Sequence, residues 1–292
     1  MKHVTVQGVD VPAIGLGTGW MSGEDCAEAV ESALELGYRR VDTAQMYGNE
    51  DAVGRGIERS DVPRDDVFVT TKLNRSLIES MGYTLTAGSP LETGVRRGNL
   101  REDRVVESVE RSLERLGTPY VDLLLIHAPG VRVPVRETVG AMNGLREEGK
   151  VRNIGVSNFS PEQFERAVEV SEAPVLSNQV RYNVFHDRTE TLGACVENDV
   201  MLTAHTPLNR GRGLDRRTFV EIGERYGKTP AQVALRWLVQ QKNVSAIPKA
   251  SKREHQKSNI DVFDFELDDD EMSRLDTLEG GVVDRVKSAL RV

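Results

Sequence analysis

The sequence has only two cysteines, Cys26 and Cys195, among its 292 residues. Two cysteines cannot form a disulfide framework or a thiolate metal cluster. We therefore expect both to be core residues of a protein in a reducing, cytoplasmic compartment. The five histidines show none of the spacings typical of a zinc site, so we also expect no bound metal.

Long apolar runs are absent as well. Nowhere do about 18 consecutive apolar residues occur, and the first residues, MKHVTVQGVDVPAIGLG, contain no signal-peptide core. The net charge is -8, from 38 basic and 46 acidic residues. Because an acidic surface repels phosphate, nucleic acid is not an expected partner. We expect a cytoplasmic protein that works neither in a membrane nor on nucleic acid.

The sequence also lacks any linker, low-complexity tract or abrupt change in composition, so we expect residues 1–292 to form one large α/β domain. Short apolar runs alternate with amphipathic helical patterns such as GEDCAEAVESALELG. Eight such repeats in about 250 residues predict a (β/α)8 TIM barrel with parallel strands. The predicted strands lie in residues 13–18, 39–44, 67–72, 121–127, 153–158, 175–180, 200–205 and 244–249.

An open, doubly wound sheet is the alternative architecture. Its usual phosphate-binding signature, G-x-G-x-x-G, is not matched, because Gly15, Gly17 and Gly19 follow a G-x-G-x-G spacing. These glycines favour a close approach of the backbone to a neighbour. The barrel therefore remains the preferred prediction.

Two segments stand outside the repeating pattern. HVTVQGVDVP, residues 3–12, alternates apolar and polar residues around a Gln-Gly pair and predicts an N-terminal β-hairpin. Residues 74–99 form a long stretch without clear periodicity after a predicted strand. Loops of this length are usually functional lids or mobile segments. In a barrel this one would lie at the catalytic face.

Polar residues occupy the predicted strand ends. The carboxyl ends of barrel strands share one face, which is where active sites occur. Lys and His at such ends are unusual, because charges are rarely buried without a partner. The strand-end residues are Thr18, Asp42 with Tyr47 just beyond it, Lys72, His127, Ser157, Asn158, Gln179, His205 and Lys249.

Four of these residues predict a proton-donating site. A phenol does not release its proton readily at neutral pH, but an adjacent ammonium stabilises the phenolate, and a carboxylate keeps the ammonium charged and in place. We interpret Tyr47 as the acid, Lys72 as the group that tunes it and Asp42 as the anchor of Lys72. His127 would hydrogen-bond a carbonyl oxygen and orient it. No nucleophile–base pair is evident, so covalent hydrolysis is not predicted.

Six motifs in order resemble the aldo-keto reductase superfamily over nearly the whole chain, from GLGT to VFDFEL. They are VDTAQMYGNE, TTK, VDLLLIHAP, NIGVSNF, NQVRYN and IPKAS. The resemblance implies a (β/α)8 barrel without a metal that reduces aldehydes and ketones with a nicotinamide cofactor, usually NADPH. It also implies that Tyr47 protonates the developing alkoxide.

The resemblance further implies a cofactor site. Ser157, Asn158 and Gln179 would hold the carboxamide, whose donors and acceptors they match. The TPLNRG loop, with Thr206, Pro207 and Leu208, would wrap the pyrophosphate, and PKASKREHQKSN would take the adenosine end. The full set of expected cofactor contacts is Gly17, Thr18, Ser157, Asn158, Gln179, His205, Thr206, Pro207, Leu208, Lys249, Ser251, Lys252, His255 and Asn259.

The chain departs from the family pattern around the expected substrate pocket. Ala128 stands where the family often has Trp, which implies a wider pocket beside Trp20, Tyr47 and His127. His205 replaces the aromatic residue that stacks on the nicotinamide, and an imidazole there would stack with less area and titrate near neutral pH. The loop at 74–99 is longer, and the tail after residue 267 shorter, than the family pattern, so substrate contacts would move from the tail to the loop.

The adenosine end departs too. His255 replaces an arginine that commonly pairs with the 2′-phosphate of NADPH. Lys249, Lys252, Arg253 and Lys257 nevertheless form a basic cluster in an acidic chain. A cationic cluster suits an additional phosphate, so we favour NADPH over NADH.

The same residues also have ordinary structural interpretations. Asp42 could cap a turn, and Tyr47 could be a half-buried aromatic. Ser157 and Asn158 could cap a helix that begins near Pro161. A helix N-terminus is itself an anion site, so capping and ligand binding can coexist.

Other candidates have equally simple alternatives. A lone histidine such as His127 or His205 is more often a core residue with satisfied hydrogen bonds. Ser251 with Glu254 fits a capping box. These alternatives leave the individual roles open at the sequence level.

Two functions follow from the sequence. The first is NADPH-dependent reduction of a small-molecule aldehyde or ketone by a monomer, with the proton from Tyr47. The alternative is a catalytically weak nicotinamide-binding redox sensor or regulatory subunit, motivated by the long loop at 74–99, because loops carry partner contacts.

Overall fold

The computed structural model describes residues 2–74, 100–130 and 133–279. Within them, eight parallel strands are hydrogen-bonded side by side in sequence order, which confirms the predicted (β/α)8 barrel. The barrel strands are β3 (Leu16–Gly17), β4 (Arg40–Asp42), β5 (Phe68–Leu73), β6 (Val121–Ile126), β7 (Val151–Ser157), β8 (Val175–Arg181), β9 (Met201–His205) and β10 (Val244–Ala246).

Helices surround the strands, and most of them bury an apolar face. In the helix Glu102–Leu116, Val105, Val109, Leu113 and Leu116 recur at intervals of three or four and are buried. The described helices are α1 (Gly23–Glu35), α2 (Glu50–Arg59), α3 (Glu102–Leu116), α4 (Val135–Glu147), α5 (Pro161–Glu169), α6 (Thr189–Glu197), α7 (Arg217–Tyr226), α8 (Pro230–Val239), α9 (Arg253–Ile260) and α10 (Asp269–Asp276).

The first and last strands close the barrel. The Gly15 amide donates to Ala246 O at 2.9 Å, and the Ala246 amide donates to Ala13 O at 2.8 Å. Gly17 is part of this seam, where a Cβ atom would stand 2.7 Å from the backbone oxygen of Ile247. The absence of a side chain at Gly17 therefore lets the seam reach the catalytic end of the barrel.

The predicted hairpin is also confirmed, with β1 (His3–Val6) antiparallel to β2 (Val9–Pro12). Gln7 and Gly8 both have positive φ, 51° and 75°, as the tight turn of a two-residue hairpin requires. The Gln7 amide donates to the Asp199 carboxylate, which lies just before β9. The hairpin therefore covers the amino end of the barrel, opposite the strand ends that carry the candidate site.

The barrel interior changes from apolar to polar towards the catalytic end. The hairpin packs on buried Leu123, Leu125, Leu176 and Met201. The next layer contains buried hydroxyls and one cation. Ser177 Oγ and Thr203 Oγ1 are 2.9 Å apart, and the Arg40 guanidinium donates to Ser245 Oγ. Asp42, two residues after Arg40 on β4, and Lys72 on β5 lie beyond this layer.

Both cysteines are free and buried. Burial raises the pKa of Cys26 to about 11 and that of Cys195 to about 12, so both remain thiols at neutral pH. None of the helices in the described ranges combines the length and the apolarity needed to cross a bilayer. Apart from Asn74, the predicted loop at 74–99 lies outside the described residues, and the single-domain organisation stays a prediction.

Candidate active site

A cleft of about 530 Å³ opens at the carboxyl ends of the strands. Residues at the ends of seven barrel strands, or in the loops that follow them, line the cleft, which combines polar and apolar walls. Its lining residues are Gly17, Gly19, Trp20, Asp42, Tyr47, His127, Ser157, Asn158, Gln179, His205, Thr206, Pro207, Leu208, Arg210, Ile247, Pro248, Lys249, Ala250, Ser251 and His255.

A buried ion pair forms the floor of the cleft. Lys72 donates to Asp42 Oδ1, and also to Thr43 O at 2.7 Å. The second carboxylate oxygen, Oδ2, accepts from Gln179 Nε2 at 2.7 Å. Lys72 is completely buried, so it supports the cleft from behind and is not one of its lining residues. The pair is well satisfied, as a buried pair must be to remain charged.

Tyr47 lies directly over this pair. It ends a short 3-10 turn, Gln45–Tyr47, which is closed by Gly48 in the left-handed conformation (φ 64°). The ammonium of Lys72 is 5.3 Å from the centre of the Tyr47 ring. The ring of His127 meets the Tyr47 ring edge-on, with centres 5.8 Å apart. The structure therefore brings together the four residues that the sequence predicts as catalytic.

Asn49 connects two loops of the site and is not among the residues predicted from the sequence. Its buried amide donates to Thr18 O at 2.9 Å and Met21 O at 3.0 Å, and accepts from Thr43 Oγ1 at 2.7 Å. The loop between Thr18 and Met21 carries Trp20, whereas Thr43 follows the end of β4. A signal was present in the sequence, because asparagine before Glu50 is a favoured residue at the start of a helix.

Ser157, Asn158 and Gln179 form one wall of the cleft. Ser157 Oγ donates to Gln179 O at 2.8 Å. The Asn158 amide nitrogen donates to His127 O at 2.9 Å and to Ser157 Oγ at 3.1 Å. Its oxygen accepts from His205 Nε2 at 3.1 Å. Asn158 thus connects the ends of β6, β7 and β9 through hydrogen bonds.

This network assigns the tautomer of the neutral His205 ring. The carbonyl of His127 can only accept, so the Asn158 nitrogen must face it and the Asn158 oxygen must face His205. Nε2 of His205 therefore carries a proton, and in the neutral ring Nδ1 accepts from Thr206 Oγ1 at 3.1 Å. Burial, followed by the nearby charge of Lys72, lowers the pKa of His205 to about 4. The expectation that His205 titrates near neutral pH is therefore wrong.

The lowered pKa of His205 predicts a loss of stability in acid. Between about pH 6.5 and pH 4 the unfolded chain binds a proton at His205 and the folded protein does not, so stability falls as the pH is lowered through this range. The full loss corresponds to about 3 kcal/mol. Asparagine supplies an N–H donor but does not titrate. We therefore expect His205→Asn to lose less stability than wild type between pH 7 and pH 4.5, as measured by urea unfolding. Equal losses would contradict this assignment.

The far end of the cleft is polar and cationic. Thr206, Pro207 and Leu208 follow β9, and Thr206 has a positive φ of 54°. Asn183 holds this loop by donating to Thr206 O at 2.9 Å. The cations and exposed polar groups along this end are Arg210, Lys249, Ser251 and His255.

Four predicted contacts do not line the cleft, namely Thr18, Ala128, Lys252 and Asn259. Thr18 is buried and donates to the carbonyl of Asp42 at 3.0 Å, so its position supports the strand end. Asn259 is buried in α9, and Lys252 is exposed at the start of that helix.

The capping interpretations do not match the structure. Ser160 caps α5 by accepting from the Gln163 amide, so Ser157 and Asn158 are not the caps of that helix. The N-cap of α9 is Lys252, without a side-chain capping bond, so Ser251 and Glu254 form no capping box.

Trp20 stands at the mouth of the cleft with 81% of its surface exposed. Its φ of 65° is unusual for a bulky residue and carries a conformational cost. A strained, exposed aromatic residue at the mouth of a cleft is typical of a ligand-contacting position. Within the described ranges, no three His, Cys, Asp or Glu side chains are grouped so as to hold a metal ion.

Comparison with known proteins identifies relatives along nearly the whole chain. The model of the aldo/keto reductase family matches residues 13–279. The aldo-keto reductase of Mycobacterium sp. strain MCS is 36% identical over 275 residues, which cover 94% of this chain and 89% of that protein. The glyoxal reductase of Bacillus subtilis strain 168 is 36% identical over 272 residues, which cover 93% of this chain and 90% of that protein.

Solved structures show the same similarity. The crystal structure of a Bombyx mori aldo-keto reductase in complex with NADP superimposes with a TM-score of 0.82. It is 28% identical, and the match covers 97% of this chain and 95% of that one.

Proposed function

Because this chain belongs to the aldo/keto reductase family and is an NAD(P)H-dependent oxidoreductase that reduces carbonyl compounds, we propose that NADPH is its reductant and Tyr47 its proton donor. The product of an aldehyde or ketone is then an alcohol. The observation that carries this proposal is the buried Asp42–Lys72 pair directly beneath the Tyr47 ring.

The residues around Tyr47 have separate roles in proton donation. As the carbonyl oxygen gains negative charge, the Tyr47 hydroxyl donates its proton to that oxygen and becomes a phenolate. Lys72 stabilises the phenolate, and Asp42 keeps Lys72 charged and fixed. His127, edge-on to Tyr47, orients the carbonyl oxygen by a hydrogen bond.

The chemistry of the cleft fits a nicotinamide dinucleotide. Ser157, Asn158 and Gln179 present the hydroxyl and amide groups that match a carboxamide. Gly17 and Gly19 leave one wall without side chains, and a Cβ on Gly19 would stand 3.6 Å from Tyr47 Cζ. When bound, the cofactor supplies the hydride that the protein itself lacks.

The preference for NADPH rests on the cationic end of the cleft. Arg253 is held by α1, because it donates to Glu35 at 2.6 Å and Ser32 Oγ at 3.1 Å. Lys249 and His255 line the cleft and are exposed. These two side chains are therefore the groups that we propose to meet the additional phosphate, with Lys252 nearby.

A substitution at His255 tests this preference. Arginine is always charged and binds phosphate with two parallel hydrogen bonds, so we expect His255→Arg to lower the KM for NADPH by about five- to tenfold. The KM for NADH should remain close to wild type, because NADH lacks the 2′-phosphate. His255→Gln is the neutral control. An equal change for both cofactors would contradict a phosphate contact at His255.

The reaction is tested by following the consumption of NADPH and, separately, NADH by the purified protein. The panel should contain small aldehydes, ketones and keto sugars, because the substrate remains to be identified. Multiple turnovers with NADPH would support the proposed reductase. Tight cofactor binding without turnover on any substrate would instead favour the alternative of a redox sensor, whose motivating loop at 74–99 lies mainly outside the described residues.

We further propose that the protein is a cytoplasmic monomer whose partner is a small carbonyl compound and not a nucleic acid. The free, buried cysteines suit a reducing compartment. Light scattering of the purified protein tests the monomer.

A further inference from the structure

Arg40 is a fully buried cation inside the barrel, below the candidate active site. Its guanidinium donates to Ser245 Oγ at 2.9 Å and Thr203 Oγ1 at 3.2 Å, and lies 5.7 Å from the centre of the Phe68 ring. These neighbours are neutral, and Arg40 forms no ion pair with a carboxylate of the described residues. Because a buried charge without a direct counterion costs stability, packing alone does not account for Arg40.

Asp42 is the acidic group that Arg40 faces along the barrel interior. Side chains two residues apart on a strand point to the same face, and their Cα atoms are about 7 Å apart. Arg40 and Asp42 therefore occupy consecutive layers of the barrel. Burial lowers the pKa of Arg40 to about 10, and the attraction of Asp42 acts in the opposite direction. Arg40 remains charged at neutral pH.

Arg40 changes the net charge beneath the phenol. Within the described ranges, the charged and titratable groups that contact or interact electrostatically with Tyr47 and its supporting pair include Lys72 on β5, His127 after β6, Arg40 and Asp42 on β4, and His205 at the end of β9. Burial keeps His205 neutral. Asp42 and Lys72 cancel each other, so Arg40 gives this group of residues one net positive charge.

We propose that Arg40 is a positioning residue for proton donation: through Asp42 and Lys72, its positive charge favours the phenolate that forms when Tyr47 releases its proton. This inference rests on the proposed function, in which Tyr47 is the donor. A unit charge on the order of 10 Å away, at an effective dielectric constant of about 20, changes a rate by about tenfold.

Replacement of Arg40 separates this role from a structural one. We expect Arg40→Met to lower kcat by about tenfold and leave the Kd for NADPH unchanged. The alkaline limb of the kcat profile should move to higher pH by about one unit, because the phenol is then harder to ionise. Stability in urea should be maintained or increased, since an apolar side chain replaces a buried charge. Arg40→Lys should restore kcat.

A control variant and a substitute test variant make the result decisive. Thr203→Val removes one hydrogen-bond acceptor from Arg40 without changing charge, and should leave kcat and its pH profile close to wild type. If Thr203→Val lowers kcat as much as Arg40→Met, or if Arg40→Met keeps wild-type kcat and profile, the inference is overturned. Arg40→Gln provides the same charge test if Arg40→Met does not fold.

Tyr47→Phe in the same assay distinguishes this inference from the proposed function. If Tyr47→Phe retains turnover, the proposed function fails. If Tyr47→Phe loses turnover while Arg40→Met retains it, only the role of Arg40 fails.

Discussion

Tyr47→Phe is expected to lower turnover by about 10²- to 10⁴-fold, the usual contribution of a positioned general acid. Phenylalanine keeps the ring that packs edge-on against His127 but removes the hydroxyl proton. The Lys72 ammonium would then face a ring that has no ionisable hydroxyl. Because Ser157, Asn158 and the cationic end of the cleft are unchanged, the Kd for NADPH should stay close to wild type.

The measurement is single-turnover and steady-state reduction with NADPH, together with a binding titration. Tyr120→Phe is the matched control, because it also removes one tyrosine hydroxyl. Tyr120 lies just before β6, at the amino end of the barrel, and its hydroxyl donates to Asp65. This control should turn over as wild type does. Unchanged turnover in Tyr47→Phe would show that another group donates the proton.

Lys72→Met is expected to have the largest effect on stability. It leaves the Asp42 carboxylate buried without its ammonium partner, and breaking a buried pair in this way costs about 3–5 kcal/mol. Asp42→Asn should be costly for the same reason. The double variant Lys72→Met/Asp42→Asn removes both charges, so its loss should be smaller than the sum of the two single losses.

Urea unfolding of the wild type, the two single variants and the double variant measures these differences in stability. The kcat of each protein measures the effect on catalysis. Lys150→Met is the matched control, because Lys150 pairs with Glu110 at the surface and such pairs contribute about 1 kcal/mol or less. Turnover should be lost in Lys72→Met and in the double variant alike, since neither keeps an ammonium beside Tyr47. Additive stability losses would show that the pair is not coupled.

The sequence was enough to predict the barrel and to identify the four residues that the structure brings together at its carboxyl end. Alternating strands and helices leave few architectures, and Asp42, Lys72 and His127 stand out because charged residues rarely end buried strands. The ranges of all eight predicted strands overlap observed strands, and the hairpin has the predicted turn.

The remaining details depend on contacts between residues distant in sequence. Asn49 joins loops through hydrogen bonds to Thr18 and Met21 that no local pattern encodes. Arg40 falls in a predicted strand, on the same face as Asp42, but its hydrogen-bond partners Thr203 and Ser245 lie far away in the sequence. The pKa of His205 could not be foreseen either, because burial against neighbouring strand ends determines it.

The exposed position of Trp20 gives the protein a built-in optical reporter. The chain has one other tryptophan, Trp237, which is buried, donates to Asp276 at 2.8 Å and packs 5.3 Å from the Tyr182 ring. Iodide in solution should therefore quench the emission of Trp20 and leave that of Trp237. A ligand that covers Trp20 would reduce this quenching, so the occupancy of the cleft can be titrated without a label and before any substrate is known.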